Sequence, residues 1–224
     1  MSPRTIAIGD VHGCLAALLK LIEAIDPRPA DTIVTLGDYV DRGPDVRGVL
    51  ELLRALSERT RLVPLLGNHD EMMLAVCGGR QDMLADWLLF GGEATLASYG
   101  ATSPEQVAHD YPAHLDFLES CRLYYETQRH FFVHGNYLAH VPLDQQPRDV
   151  LLWPSLRSSQ PGPHASGKTA IVGHTAQKNG EILDLGYLKC IDTYCYGDGW
   201  LTALEPETGR LWQADKAGRL KRED

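Results

Sequence analysis

The chain has 224 residues, 44% of them hydrophobic and 23% charged, enough apolar content to bury one full-sized core. Its formal net charge of −9 argues against a general basic surface for nucleic acid, and no apolar run reaches the roughly 18–20 residues that a membrane-spanning helix needs. Five cysteines without a CxxC pair, and a start (Met1 to Arg4) without a secretory pattern, lead us to expect a cytoplasmic protein with reduced thiols.

Thr5-Ile6-Ala7-Ile8 reads as a short strand closed by Gly9-Asp10-Val11-His12-Gly13. Leu15, Leu18, Leu19, Ile22 and Ile25 then recur at the period of one helix face, predicting a helix over about 14–25 that Pro27 and Pro29 stop. A second strand, 32–36, is β-branched and closes on Gly37-Asp38-Tyr39-Val40-Asp41-Arg42-Gly43. That loop sets two carboxylates and a guanidinium just past the carboxyl end of a strand, where open α/β sheets collect their ligands. The next helix spans about 45–58, with Asp45 as its cap and Val49, Leu52, Leu53 and Leu56 inward. A third strand, 62–66, ends in Gly67-Asn68-His69-Asp70. Three strand–loop–helix units predict a parallel βαβ sheet with all three loops along one edge.

The middle third is helical over about 82–99 and 104–121, and its aromatic residues, Trp87 and Phe90 among them, read as packing. Strands resume at 123–126 and 130–133, the latter ending in His134-Gly135. The stretch 142–167 is loop-rich, and strand 169–172 closes on Gly173-His174-Thr175. Four short runs in 181–214 read as an antiparallel meander, and 216–224 as a charged, fraying tail. With no repeat or linker, we expect one domain over 1–224 carrying a helical insertion at about 82–121.

Five strand ends therefore deliver polar residues beside glycine: Asp10 and His12, Asp38 and Asp41, Asn68 and His69, His134, and His174. A local Asp–Arg pair on a solvated turn would explain the Asp41-Arg42 loop alone, and a hydrogen-bonded structural histidine any other single loop, but neither explains the recurrence. Carboxylate, imidazole and amide oxygen without thiolate suit Mn, Fe or Zn better than Ca or a structural Zn site. His109, His114, His130, His140 and His164 match no such pattern and read as structural or exposed.

GDVHG, GDYVDRG, GNHD, VHG and VGHT, in that order from Gly9 to Thr175, resemble the successive signatures of the calcineurin-like metallophosphoesterases. The unbroken Asp41-Arg42-Gly43 resembles the phosphoprotein phosphatase branch, particularly the small bacterial and phage lambda-type serine/threonine phosphatases. The resemblance implies an α/β fold, an αββα sandwich of two mixed sheets with helices outside, and a centre of two divalent cations, Mn²⁺ foremost. Asp10 and His12 would hold the first cation, Asp38 would bridge, and Asn68, His134 and His174 would complete the second. Paired cations can clamp a phosphate and lower the pKa of a bridging water toward about 7, giving a hydroxide for in-line attack on phosphorus. His69 would be the general acid, Asp41 would orient it, and Arg42 would grip the phosphate with His69 and Asn68.

Three positions depart from that pattern. Gly67-Asn68-His69-Asp70 stands where GNHE is usual, and His134-Gly135-Asn136 where HGG or HAG is usual. Leu152-Trp153-Pro154-Ser155 lacks the arginine that lambda-type enzymes carry there, leaving Arg148 or Arg157 as substitutes, or a site with only one arginine. The resemblance favours a serine/threonine protein phosphatase acting as a monomer on a phosphoprotein or small phosphate ester. The alternative is a dinucleoside tetraphosphate hydrolase or another small-molecule phosphoesterase. The hydrolase meant is the asymmetric one, which GNHD and DVHGC resemble, but that branch generally lacks an aspartate at the position of Asp41, and an anhydride leaving group needs less help from an acid. A catalytically inactive metal-binding module would not need to keep every ligand and the acid.

Overall fold

The computed structural model describes residues 2–222. Met1, Glu223 and Asp224, on which the readings of the N-terminus and the charged tail partly fell, lie outside the described residues. Strands β1 (Thr5–Ile8), β2 (Thr32–Thr35) and β3 (Arg61–Pro64) are parallel, in the register Ala7–Val34–Val63. Helices α1 (Leu15–Ile25) and α2 (Val46–Ser57) make the two crossovers, and α3 (Asn68–Cys77) follows β3. Asp45 caps α2 by accepting from the Gly48 N–H at 2.9 Å. Alternate residues of each strand point to opposite faces. Ile6, Ile8 and Ile33 pack against the helices, while Ala7, Val34 and Val63 face inward. Leu19 departs from the expected apolar face of α1 and is half exposed, because Leu18, Leu21 and Ile25 already fill the contact.

The helical stretch that follows is more broken than its periodicity suggested. It runs through α4 (Leu84–Trp87), a π-helical turn (Leu88–Gly92), α5 (Glu93–Tyr99), α6 (Pro104–Asp110) and α7 (Pro112–Glu119). Gly91, at φ 118°, kinks the first half, and Pro112 divides the second. These helices pack on α2 and α3.

The second sheet begins with β4 (Tyr124–Glu126) and β5 (His130–Val133). A short helix, α8 (Arg148–Leu152), interrupts the loop-rich stretch before β6 (Thr169–Val172). The remaining strands are β7 (Leu183–Asp184), β8 (Leu188–Cys190), β9 (Asp192–Thr193), β10 (Trp200–Glu205) and β11 (Arg210–Ala214). They do not form the single antiparallel meander expected from the sequence. β8 lies parallel to β6 in a sheet of order β4-β5-β6-β8-β7, whereas β10 lies antiparallel to β1 in a sheet of order β11-β10-β1-β2-β3, with β9 beside β10. Short apolar runs with Gly turns are compatible with either pairing, and burial decides. Phe132, Ile171 and Ile191 from the second sheet meet Val34, Leu36 and Leu204 from the first in one dry layer. The result is two mixed sheets face to face, flanked by helices. Phe131, Val133 and Val172 on the far face are covered by α8 and its neighbouring loops. The described part of the tail is bonded, since Asp215 accepts from the Ala217 and Arg219 N–H groups. Among the described residues no helix is long and apolar enough to cross a membrane.

Candidate metal centre

The parallel strands of both sheets end at the same edge, so the loops after β1, β2, β3, β5 and β6 converge. Their backbone is unusual. Among the described residues, seven non-glycine residues have positive φ: His12, Asp38, Asp41, Arg42 and His174 on these loops, Tyr194 after β9, and Asp26 at the end of α1. Side chains adopt that region only when surrounding structure over-determines it. Asp70 supplies much of that constraint, its carboxylate accepting from the N–H groups of Gly67 (2.9 Å), Asp38 (2.8 Å) and Tyr39 (2.9 Å). The loop after β3 is thereby stitched to the loop after β2. Glycine is required at the flanks because a Cβ on Gly67 or Gly173 would overlap a carboxylate oxygen of Asp38 or Asp10.

The imidazoles are oriented by backbone carbonyls, which only accept, so the nitrogen facing each must carry the proton. Nδ1 of His12 donates to Val40 O at 2.8 Å, Nδ1 of His134 to Leu36 O at 2.7 Å, and Nε2 of His174 to Trp153 O at 2.9 Å. The opposite nitrogens are therefore bare. Nε2 of His134 and Nδ1 of His174 lie 3.0 and 2.9 Å from the Asn68 amide oxygen, and the former lies 3.5 Å from Asp38. Nε2 of His12 stands 3.4 Å from the other Asp38 oxygen. The lone pairs of His134 and His174 face the Asn68 oxygen with no donor between them, an arrangement that a cation relieves, whereas His12 Nε2 accepts from the Arg42 guanidinium at 2.7 Å.

Two groups are close enough to hold an ion, His12–Asp38–His69 and Asp38–His134–His174, and they share Asp38. Burial pushes the pKa of His12 and of His174 down to about 4, leaving both neutral and free to ligate near pH 7. Burial raises the Asp10 carboxyl well above the ordinary range, with Asp192 and Asp38 adding to it. Asp192 is raised by burial to about 6. Among the described residues no lysine or arginine is hydrogen-bonded to these carboxylates, so divalent cations suit them as counter-charge. The donor set therefore fits divalent cations.

Of the sequence-predicted residues, Asp38, Asn68, His134 and His174 meet directly. Asp10 sits at the margin, both its oxygens accepting from the His174 N–H at 3.1 and 2.9 Å. His69 donates through Nδ1 to Asp41 at 2.7 Å. Asp41 is itself held by the Trp87 indole N–H (3.0 Å) and the Thr95 hydroxyl (2.7 Å). These two come from the helical stretch 46 and 54 residues away, and Trp87 had read as packing only. Arg42 reaches His12 Nε2 at 2.7 Å and lies over the ring of Tyr196, 4.6 Å from its centroid. No sequence signal marked Thr95 or Tyr196. Asp192 does follow an apolar run, but without the flanking glycine of the other loops.

Neither proposed second arginine enters the cleft. Arg148 is bound to Glu71 at 2.7 Å, and Arg157 donates to the carbonyl of Ala176. Asn136 bonds Ser159 O and the Tyr137 N–H, away from the site. His114 and His164 are hydrogen-bonded within the fold. The cleft, about 240 Å³, is lined by Asp38, Arg42, Asn68, His69, Phe90, Trp153 and His174.

The sequence profile described as calcineurin-like phosphoesterase matches residues 3–197. A symmetrical bis(5'-nucleosyl)-tetraphosphatase of Janthinobacterium sp. (strain Marseille) is 35% identical over 136 residues, 60% of this chain and 44% of that protein. Serine/threonine-protein phosphatase 1 of Salmonella typhimurium is 39% identical over 88 residues, 38% of each chain. The matched segments thus span less than half the length of these relatives. Among solved structures, one described as a candidate diadenosine tetraphosphatase superposes with a TM-score of 0.69 at 22% identity, over 96% of this chain and 94% of that one, a likeness of fold.

Proposed function

The chain belongs to the calcineurin-like phosphoesterase family, and from that premise we propose that it hydrolyses a phosphoric anhydride of a dinucleoside tetraphosphate, in the symmetrical sense of its relatives. The observation that carries the proposal is the pair of ligand groups sharing Asp38, beside an acid pair and an arginine. Asp10, His12, Asp38, Asn68, His134 and His174 would hold two divalent cations, Mn²⁺ foremost with Fe or Zn as alternatives. Such cations supply Lewis acidity toward phosphoryl oxygens and an activated water. Arg42 offers a planar fork to the phosphate oxygens, with the Asn68 amide and His69 beside it. With its Nδ1–H held by Asp41, His69 acts as the acid in its imidazolium form, giving the Nε2 proton to the leaving oxygen and becoming neutral. The Asp41 carboxylate stabilises and orients that cation. Relatives named as symmetrical tetraphosphatases support the substrate class. These relatives are of the symmetrical kind, unlike the asymmetric branch expected from the sequence.

A second reading, hydrolysis of a phosphoserine or phosphothreonine monoester, is favoured by one feature. The His69–Asp41 pair is braced for protonating a strongly basic alkoxide, which an anhydride does not require. We assign either activity to a single domain over 1–224, with the helices of about 82–121 as an insertion, working as a cytoplasmic monomer. The test is kcat/KM on diadenosine tetraphosphate and on a phosphothreonine peptide, using protein stripped by chelator and reloaded with Mn²⁺. Preference for the dinucleotide with ADP as sole nucleotide product supports the first reading. Preference for the peptide replaces it with the second.

A further inference from the structure

We propose that Phe90 and Trp153 are stacking platforms for the two nucleobases of the substrate, one at each pole of the cation site, with Glu71 and Arg148 as positioning residues for Trp153. The proposal rests on the dinucleotide reading. Both rings line the cleft with Asp38, Arg42, Asn68, His69 and His174, and both leave a large apolar face in water, 49% of Phe90 and 38% of Trp153 being exposed. Exposed aromatic faces beside buried charge mark a ligand site more often than chance surface.

Their placement is polar-opposite. Phe90 stands edge-on to His69, with ring centroids 6.5 Å apart, and the His69 ring lies beside His12 and Asp38. The Trp153 carbonyl accepts from His174, which belongs to the group of His134 and Asp38. A polyphosphate lying across Asp38 would meet one ring toward each end. A phosphorylated serine or threonine brings no planar group of its own, whereas a polyphosphate with a base at both ends brings two.

Both platforms are anchored to the catalytic loops. The Trp153 indole N–H donates to Glu71 Oε2 at 2.8 Å, and Glu71 Oε1 accepts from Arg148 Nε at 2.7 Å. Glu71 lies in the first turn of α3, two residues after His69. Its ion pair therefore locks the indole rotamer to the helix that presents Asn68 and His69. Phe90 is fixed through its neighbour Gly91, whose carbonyl accepts from the Arg42 N–H at 3.2 Å.

Base–aromatic stacking lost to truncation typically weakens binding tenfold or more. We would compare full-length Phe90→Leu, Trp153→Leu, Glu71→Gln and Glu71→Ala on diadenosine tetraphosphate and on base-free tripolyphosphate, taken as KM or, without turnover, as Ki. In parallel, ADP would be titrated into metal-reloaded protein, following tryptophan fluorescence. KM for the dinucleotide should rise about tenfold in Phe90→Leu and Trp153→Leu with kcat within about threefold, while the tripolyphosphate constant moves less than twofold. ADP quenching should vanish in Trp153→Leu, weaken in Glu71→Ala and persist in Glu71→Gln, whose amide oxygen still accepts from the indole. Equal losses on both phosphates, or full quenching by ADP in Trp153→Leu, would overturn the platforms. If wild type turns over the peptide and not the dinucleotide, the substrate reading fails. The ADP titration then still decides whether the rings bind a base.

Discussion

Strand β2 has a buried aspartate at each end, and the fold treats the two in opposite ways. Asp31, before the strand, accepts six N–H groups from Arg4 and Arg28. Burial alone would raise its pKa, but those arginines hold it well below the usual carboxylate range. Asp38, after the strand, faces His12 and His134 and shares its surroundings with Asp10 and Asp192, which are raised by burial. At one end the cation is a permanent part of the chain. At the other, Arg42 reaches His12 Nε2, but among the described residues no arginine or lysine bonds the carboxylates. Burial keeps His12 and His174 neutral, so divalent cations from outside fit the remaining charge. A buried carboxylate thus signals structure or function according to whether the chain supplies its counter-charge.

The largest effect expected from this contrast is on turnover. Asp38→Asn and His174→Asn should each cost about 10³-fold or more, since several kcal/mol of cation binding and transition-state stabilisation go with the ligand. Metal content by atomic absorption should fall in step, and full metal retention at normal activity would remove the residue from the site. Next comes the acid. His69→Asn should slow substrates with poor leaving groups by roughly 10²–10⁴-fold and p-nitrophenyl phosphate far less, because nitrophenolate hardly needs a proton. Trp87→Phe, which deletes only the indole N–H on Asp41, should follow the same leaving-group trend at about a tenth of the size on a logarithmic scale. Equal loss on both substrate types would take His69 out of the acid role.

Stability should then separate the two ends by sign. In metal-free protein, Asp31→Asn leaves two guanidiniums without their shared carboxylate and should cost about 3 kcal/mol, lowering Tm by roughly 6–12 °C for a chain of this size. Asp10→Asn removes a charge that burial and Asp192 oppose, so Tm should hold or rise by a few degrees. A large loss from Asp10→Asn would break the comparison.

The smallest effect is on pH dependence. His12 and His174 titrate at about 4 in the folded state against about 6.5 unfolded. Their contribution is whole above pH 6.5 and lost as pH falls toward 4. Asp192 acts in reverse, contributing most below pH 4 and losing that as pH rises through about 6. Asp31, depressed when folded, contributes above about pH 4 and loses it only under stronger acid. In chelated protein the two histidines therefore pull Tm down from pH 6.5 to 4, while Asp192 and the raised Asp10 oppose them. His12→Gln should flatten the slope, and an unchanged slope would exclude His12 as its source.

Most of the ligand set was legible because each donor is local to a strand end. Gly9-Asp10-Val11-His12-Gly13 and Gly67-Asn68-His69-Asp70 carry their own strand, turn and helix signals, and period-two alternation orients the strands before any contact is known. Asp41 was equally legible, but not the Trp87 and Thr95 that hold it. They sit on a helical stretch whose periodicity reports only burial. Nor was Tyr196 beneath Arg42 or the clamp of Glu71 on Trp153 and Arg148, since those pairs are set by packing between elements.

The sequence by itself determined the parallel βαβ start, the loops that converge at its carboxyl edge, and the chemistry of the donors, because secondary-structure periods and ligand types are properties of short segments. Only the tertiary structure decided that the tail divides between two sheets, that Arg148 and Arg157 stay out of the cleft, and that an aromatic ring flanks each pole. Such outcomes depend on which apolar faces bury each other across long stretches of chain, and no local pattern encodes that choice.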